Sequence, residues 1–323
     1  MEEERRSEAM SEVRPPRRIL VTGATGFIGT AVLPLLRERF PEATLGALVR
    51  SERSAATLGQ RGINLVRADL ADPPLKLSAA VRGFTPDVIV HLAAEIASSR
   101  NTTAIRKTNV EGTRRLAEAA RGLDCFRCFL YTSTVVTGDA AGRMLTETDD
   151  IPLETDYGRA KHEAERILRD MSLPVTIIRP SHVYGPGGWF ASVVADMRKG
   201  FFRVPGRGDN WWDVVHVDDV ASAIVLAIAA APPRSVYHVV DDEPVHMDEF
   251  FQEVARLCGR RGVGHAPVFL ARLLRGRGAI AAALRSARSS NARIKAELGW
   301  TPRYPSYREG LAATIDALTR AAA

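Results

Sequence analysis

Tyr157 and Lys161 stand four residues apart in "YGRAK" (157–161), a spacing that places both on one face of a helix. A phenol loses its proton near pH 10, and an ammonium a few Å away favours the phenolate. Bringing that phenol near neutrality takes roughly 4 kcal/mol from Lys161, a cofactor's charge and burial together. The pair could then move a proton to or from a substrate oxygen. The plainer reading is pairing on a helix surface, although lysine is rare here: the chain has only Lys76, Lys107, Lys161, Lys199 and Lys295. Ser133, in "YTSTVVTG" (131–138), ends an apolar run where a parallel sheet presents residues at its carboxyl edge. Its hydroxyl suits a carbonyl or alcohol oxygen, with Thr134 as a neighbouring substitute. A simple turn serine is the competing reading.

"VTGATGFIGT" (21–30) spaces Gly23, Gly26 and Gly29 between an apolar run and an amphipathic stretch. In a strand–turn–helix, the first such glycine allows the tight turn, the second lets a pyrophosphate lie on bare backbone, and the third lets helix and strand pack closely. The helix start then offers N–H groups and partial positive charge to the phosphates. Thr25, Phe27 and Ile28 complete this expected dinucleotide contact. The next strand ends at Arg50, followed by Ser51 and Arg53, where an NAD site usually carries an acidic residue for the ribose hydroxyl. Guanidinium groups there suit a 2′-phosphate, so NADP(H) is favoured over NAD(H). Alternatively, Arg50 is a solvated residue in an arginine-rich chain.

These residues need a scaffold, and the pattern supplies one. "RILVTGA", "TLGALVR", "INLVRADL", "PDVIVHLAA" and "CFRCFLYTS" read as strands, with helices at "FIGTAVLPLLRERF" and "TNVEGTRRLAEAARG". Alternating strands and helices predict an α/β fold with a doubly wound parallel sheet of Rossmann type. Pro34 should bend or loosen the first helix. Beyond "VTIIRPSHVYGPGG" (175–188) the pattern turns irregular. "VVHVDDVASAIVLAIAAA" reads as a turn and a helix, and "SVYHVVDDEP" as a last strand. The expected division is a tail at 1–16, a dinucleotide-binding domain at 17–180 plus about 214–240, and a smaller, mostly helical substrate domain at 181–213 plus 241–323.

The glycine turn, Ser133 and Tyr-x-x-x-Lys together resemble the short-chain dehydrogenase/reductase superfamily. The length, "TGATGFIG", "HLAA", "RPSHVYGPG" and "VHVDDVA" make the chain similar to its extended group, the NAD-dependent epimerase/dehydratase family, over about residues 17 to 318. The resemblance implies that Asp69 and Leu70 border the adenine, and that Ala93 and Ala94 run along the cofactor. It further implies that Pro180 and Ser181 border the nicotinamide. Tyr157 becomes the acid/base, Lys161 holds the nicotinamide ribose and lowers the tyrosine pKa, and Ser133 polarises the substrate oxygen. Asn109, in "TNVEGT", matches an asparagine that supports the active-site backbone. The expected activity is hydride transfer between NADP(H) and a carbonyl/hydroxyl pair. A nucleotide-sugar epimerase, dehydratase or ketoreductase is the second reading, and a non-catalytic NADP-binding sensor the third.

Members acting on nucleotide sugars often carry an arginine where "RGDNWWDVVHVDD" has Trp212, beside Trp211. Two indoles offer apolar surface and only donor groups. Together with Trp189 and Phe190 they suggest a wall for an apolar or aromatic, non-nucleotide substrate; packing of the small domain is the alternative. Arg203 or Arg207 could replace the missing arginine. His182 and His216 fit loop-holding hydrogen bonds better than catalysis.

The 323 residues carry a net charge of +6, but the basic residues are scattered, which argues against nucleic acid as partner. No apolar stretch is long enough to span a bilayer, and the first eighteen residues lack the core of a signal peptide. Three cysteines suit the cytoplasm. Cys125 and Cys128 read as packed thiols within one strand, with no second pair to complete a metal site, so no metal is expected. The basic segment 269–288 reads as a lid or wall over the substrate, with a membrane-surface helix as the alternative. A small molecule is the expected partner, and a homodimer is compatible with the resemblance.

Overall fold

The computed structural model describes residues 14–96, 101–232 and 234–321. Most of the expected N-terminal tail therefore lies outside the described residues. The main sheet has seven strands: β1 (Arg18–Thr22), β2 (Thr44–Val49), β3 (Asn64–Arg67), β4 (Val88–His91), β5 (Cys128–Thr132), β6 (Val175–Pro180) and β7 (Val236–Val239). Their order is β7-β6-β5-β4-β1-β2-β3, and all six pairings are parallel. This is the Rossmann arrangement. Its strand order reverses between β1 and β4, which opens a crevice at their carboxyl ends. β4, β5 and β6 are buried along their whole lengths, as strands covered on both faces must be.

The helices that matter for the site are α1 (Phe27–Arg39), α2 (Glu52–Gly59), α3 (Pro74–Phe84), α4 (Thr102–Arg106), α5 (Thr113–Ala120) and α6 (Asp156–Asp170). α1 runs unbroken across Pro34. Pro34 and Thr30, whose carbonyl loses its helical partner to the proline, are both exposed, so water can satisfy that oxygen. Between α4 and α5 the chain forms one π-helical turn, Lys107–Gly112, inside what reads from sequence as a plain helix. Cys125 lies before β5 rather than in it, while Cys128 is buried at the strand's first position; both are free.

A second body follows β6. The helices beyond β6 are α7 (Gly188–Lys199), α8 (Val217–Ala230), α9 (Met247–Leu257), α10 (Val268–Arg275), α11 (Arg277–Leu284), α12 (Ala292–Leu298) and α13 (Tyr307–Arg320), of which α8 and α12 pack on the main sheet rather than in the second body. Val214–His216, expected as a turn, is a short strand parallel to His182–Tyr184. α8 packs back on α1 and belongs to the sheet's own core through Val220, Ile224 and Ile228. A separate apolar cluster joins Tyr184, Phe190, Trp212, Phe250, Val254 and Leu311. Among the described residues no helix is long and apolar enough to cross a membrane, and no three His, Cys, Asp or Glu side chains gather as metal ligands.

Candidate active site

The glycine turn joins β1 to α1 across the crevice. Gly23 has φ +69°, and a Cβ there would lie 2.7 Å from Ala93 N, so the turn touches the chain leaving β4. A Cβ on Gly29 would lie 2.3 Å from Gly23 O, which makes that glycine the helix–turn packing point. At Gly26 a Cβ would meet Gly23 O at 3.0 Å. Gly26 is the N-cap of α1 and has no side-chain cap, so the first N–H groups of the helix face outward without a protein acceptor from it. Thr25, Gly26 and Phe27 line a recess of about 540 Å3 with Pro186, Gly187 and Asp218. Ile28 is half-buried against the sheet core instead. These features fit a dinucleotide pyrophosphate: a bare backbone, a helix start and room beside it.

Arg50 stands just past β2, exposed, with no ion pair or side-chain hydrogen bond to a described residue. Arg53 is the second residue of α2, but its side chain lies outside the described residues. Beyond β3, Asp69 is half-buried and its carboxylate accepts from Ala71 N (2.8 Å), while Leu70 is buried against Gly112. Ala93 and Ala94 are half-buried beyond β4. His91 fixes the start of that segment. Its Nδ1 lies 2.7 Å from Thr22 Oγ1 and its Nε2 2.8 Å from Thr113 Oγ1, and Thr22 Oγ1 accepts from Ala93 N. Burial holds His91 down to about 3, so it is neutral and acts as a tie.

Asn109 sits in the π turn, buried, with Oδ1 accepting from Glu95 N (2.8 Å) and Nδ2 donating to Glu95 O (2.9 Å). It thus holds the backbone just after Ala93 and Ala94, and its place in a π turn fits a functional position.

α6 is capped at its start and docked onto the end of β5. Thr155 Oγ1 caps the helix at Gly158 N (2.9 Å). A Cβ on Gly158 would be 2.9 Å from Thr137 Cα, so that glycine lets the helix reach the loop after Ser133. The Tyr131 hydroxyl donates to Lys161 O (3.4 Å), and His162 Nε2 lies 3.1 Å from Thr134 O. Lys161 is 2% exposed, with Nζ 4.2 Å from the Tyr131 ring centre. Burial pulls its ammonium down to about 7, opposed by Glu165. Ser133 Oγ is buried and makes no well-formed hydrogen bond to a described residue, although its dipole weakly favours the Glu165 carboxylate. Tyr157 is partly covered and lines a cavity of about 700 Å3 with Ile105, Phe269, Arg272 and Leu273. Without a cofactor, burial alone pushes its phenol up to about 12. Lys161 does not contribute to that shift in the cofactor-free chain.

Glu165 and Arg179 escape sequence reasoning. Glu165 follows Lys161 by four residues, on the same helical face, and that spacing was the available signal. Arg179 Nε and Nη2 donate to its two oxygens at 2.9 and 2.6 Å, and both residues are buried. Burial raises the Glu165 carboxyl, but the Arg179 hydrogen bonds outweigh it and hold the group below the usual carboxylate value. The pair ties α6 to β6 just ahead of Pro180. Ser181 Oγ then donates to Asp213 O (2.6 Å), and Thr134 Oγ1 to Pro180 O (3.3 Å).

The tryptophans divide. Trp212 is buried, stacked on His182 (centroids 4.1 Å) and packed on Phe250 and Phe251, so it is core of the second body and not an open wall. Trp211 is half-buried against His246 (4.0 Å), and Phe190 is buried. Trp189 is exposed, its Nε1 donating to Val183 O (2.7 Å). Arg203 spends its guanidinium on Gly200 O and Phe202 O, and Arg207 pairs with Asp209 at the surface. Burial holds His182 down to about 3 and His216 to about 4. His216 Nδ1 caps α8 by accepting from Asp218 N (3.2 Å).

A seven-stranded parallel sheet, a glycine turn at its switch point and a Tyr-x-x-x-Lys helix against β5 define an extended short-chain dehydrogenase/reductase. The family model described as "NAD dependent epimerase/dehydratase family" matches residues 19–239, and the chain belongs to that family. It is therefore an NAD(P)-dependent oxidoreductase of this type. The chain is 30% identical over 311 residues to a 3-diazoavenalumate denitrifying reductase of a Streptomyces species, covering 91% of this chain and 99% of that one. It is 30% identical over 319 residues to the UDP-glucose 4-epimerase of Mycolicibacterium smegmatis, covering 93% and 97%. The solved structure of MoeE5 in complex with UDP-glucose and NAD superposes with a TM-score of 0.77 at 27% identity, covering 95% of this chain and 100% of that one.

Proposed function

We infer that this chain is an NADP(H)-dependent reductase or dehydrogenase that interconverts a carbonyl and a hydroxyl on a non-nucleotide, apolar or aromatic small molecule. The observation that carries this reading is Tyr157, a phenol kept protonated at neutral pH and facing a cavity with Phe269 and Leu273 on its wall. When bound, the cofactor supplies the hydride or takes it up. Tyr157 gives its proton to the carbonyl oxygen in the reductive direction and takes it back in the oxidative one. Ser133 Oγ, which has no well-formed bond of its own, donates to the same oxygen and orients it. Lys161, on the same helical face as Tyr157, would hold the cofactor's ribose and would favour the phenolate once the site is filled. Arg50, at the end of β2 and unengaged by any described residue, pairs with the 2′-phosphate and sets the preference for NADP(H). The second body, 181–213 plus 241–323, serves as the substrate domain.

The test is NADPH oxidation with a panel of ketones. Tyr157→Phe should lower turnover by at least about 10²-fold, the range typical for a lost general acid, with cofactor affinity nearly unchanged. Turnover retained in that variant would refute the assignment.

A nucleotide-sugar epimerase or dehydratase is the second reading, and one observation favours it. Arg285 is buried 3.9 Å from Asp213, and its three guanidinium nitrogens have no hydrogen-bond partner among the described residues. Such a group wants a polar ligand or water. Stabilisation by UDP-glucose, lost in Arg285→Met, would support this reading over the first.

A further inference from the structure

The 700 Å3 cavity beside Tyr157 has a wall unlike the rest of the molecule. α10 is eight residues long and buries only Ala271. Phe269 and Leu273, one helical turn apart, are 75% and 74% exposed, and both line the cavity. Exposing two large apolar side chains on one face of a short helix is unfavourable in water, and a ligand chain laid along them would relieve it.

The charges on the same wall are unbalanced. Among the described residues, Asp156, Arg272, Arg275 and Arg277 are its ionisable groups besides Tyr157. Asp156 is taken by Arg159 at 2.6 Å, and Arg275 by Asp196 at 2.6 Å. Arg272 and Arg277 make no ion pair or side-chain hydrogen bond with a described residue, and both are exposed. Arg277 follows Gly276, which separates α10 from α11, and Arg272 lies one helical turn before that glycine. The wall therefore pairs an apolar strip with two uncompensated guanidinium groups, within one cavity and on the Tyr157 side.

We propose that the substrate is an amphiphilic carboxylic acid. Its hydrocarbon or aryl chain lies along Phe269 and Leu273, and its carboxylate is held by Arg272 and Arg277. This rests on the carbonyl-reductase reading for the reaction, and it adds what the reacting molecule carries. Guanidinium suits a carboxylate through paired, charge-assisted hydrogen bonds. A nucleoside diphosphate would match the charge but not the apolar strip.

The experiment measures binding to the full chain with saturating NADPH, by calorimetry and by thermal shift, using decanoate, decan-1-ol and UDP-glucose as probes. Decanoate should bind about tenfold tighter than decan-1-ol, as expected for one charge-assisted contact. Arg272→Gln/Arg277→Gln should abolish that difference, and Phe269→Ser/Leu273→Ser should weaken both probes. All four positions are exposed, so the variants should melt like wild type without ligand. Equal affinity for acid and alcohol would overturn the proposal, as would an acid affinity indifferent to the arginine pair or tighter binding of UDP-glucose through the same arginines. Sedimentation with phosphatidylglycerol vesicles through those arginines, without decanoate binding, would overturn it in favour of a membrane-surface helix. NADPH oxidation by ketones is scored separately. Ketone turnover without acid binding sinks only this proposal, and acid binding without any turnover sinks only the reductase reading.

Discussion

Asn109 holds the backbone of Glu95 from both sides, accepting from its N–H at 2.8 Å and donating to its carbonyl at 2.9 Å. Asn109 comes from the π turn ahead of α5, while Glu95 lies just beyond the alanines that follow β4. One buried amide thus fixes the chain that would border the cofactor. Asn109→Leu leaves two backbone groups unmet, at a cost of about 2 kcal/mol or more. We expect a lower melting temperature and a raised KM for the dinucleotide, with Asn109→Asp, which keeps the acceptor, falling between. An unchanged KM in the leucine variant would separate Asn109 from the site.

The glycines offer a sharper contrast, because two of them should respond in opposite directions. Gly23→Ala forces a side chain at φ +69° and sets a Cβ 2.7 Å from Ala93 N, against backbone that cannot move aside cheaply. Loss of about 3 kcal/mol or failure to fold is expected, from strain and overpacking together. Gly83, inside α3, has open space where a Cβ would stand, with no atom within 4 Å. Gly83→Ala should therefore stabilise by about 0.5–1 kcal/mol. Chemical denaturation of both variants checks the pair, and a neutral Gly23→Ala would undo the account of the turn.

The sheet was legible because strands such as β4 and β5 are mostly apolar runs, which need no knowledge of their neighbours. The glycine turn was legible because strand, turn and helix are adjacent in sequence. What escaped depends on distant partners. Trp212 and Trp211 are indistinguishable in the string "NWW", yet alternation along a two-residue strand buries one against His182 and leaves the other half-open. Glu165 and Arg179 each look like a surface charge, and only the docking of α6 on β6 makes them a buried pair. Arg179 nevertheless interrupts "VTIIRP", and a charge inside a fully buried strand requires a counter-charge.

Arg50 is the residue on which the choice of dinucleotide turns. It is exposed at the end of β2 and unengaged by any described residue, so a 2′-phosphate would meet an available guanidinium. Arg50→Ala should raise the KM for NADPH about tenfold or more, the value of one hydrogen bond to a charged group, and leave that for NADH within about twofold. The readout is the ratio of the two constants. Equal weakening of both dinucleotides would mean that Arg50 only shapes the loop.

Lys161 should reveal itself in the pH dependence of stability. Its ammonium titrates at about 7 in the folded chain and at 10.5 when exposed, because burial removes water that Glu165 only partly replaces. Below pH 7 both states carry the proton, and the folded state bears the full cost of the buried charge. Between about 7 and 10.5 the unfolded chain binds the extra proton, so this group's contribution to stability rises with pH. Lys161→Met removes the titration and keeps the volume. At pH 6.5 the variant should melt above wild type, since an apolar replacement for a buried charge is often stabilising. The gap should close as pH rises to 9.5, while oxidoreductase activity stays lost throughout. A gap that does not change with pH would mean that the Lys161 ammonium is solvated, and would remove the basis for its coupling to Tyr157.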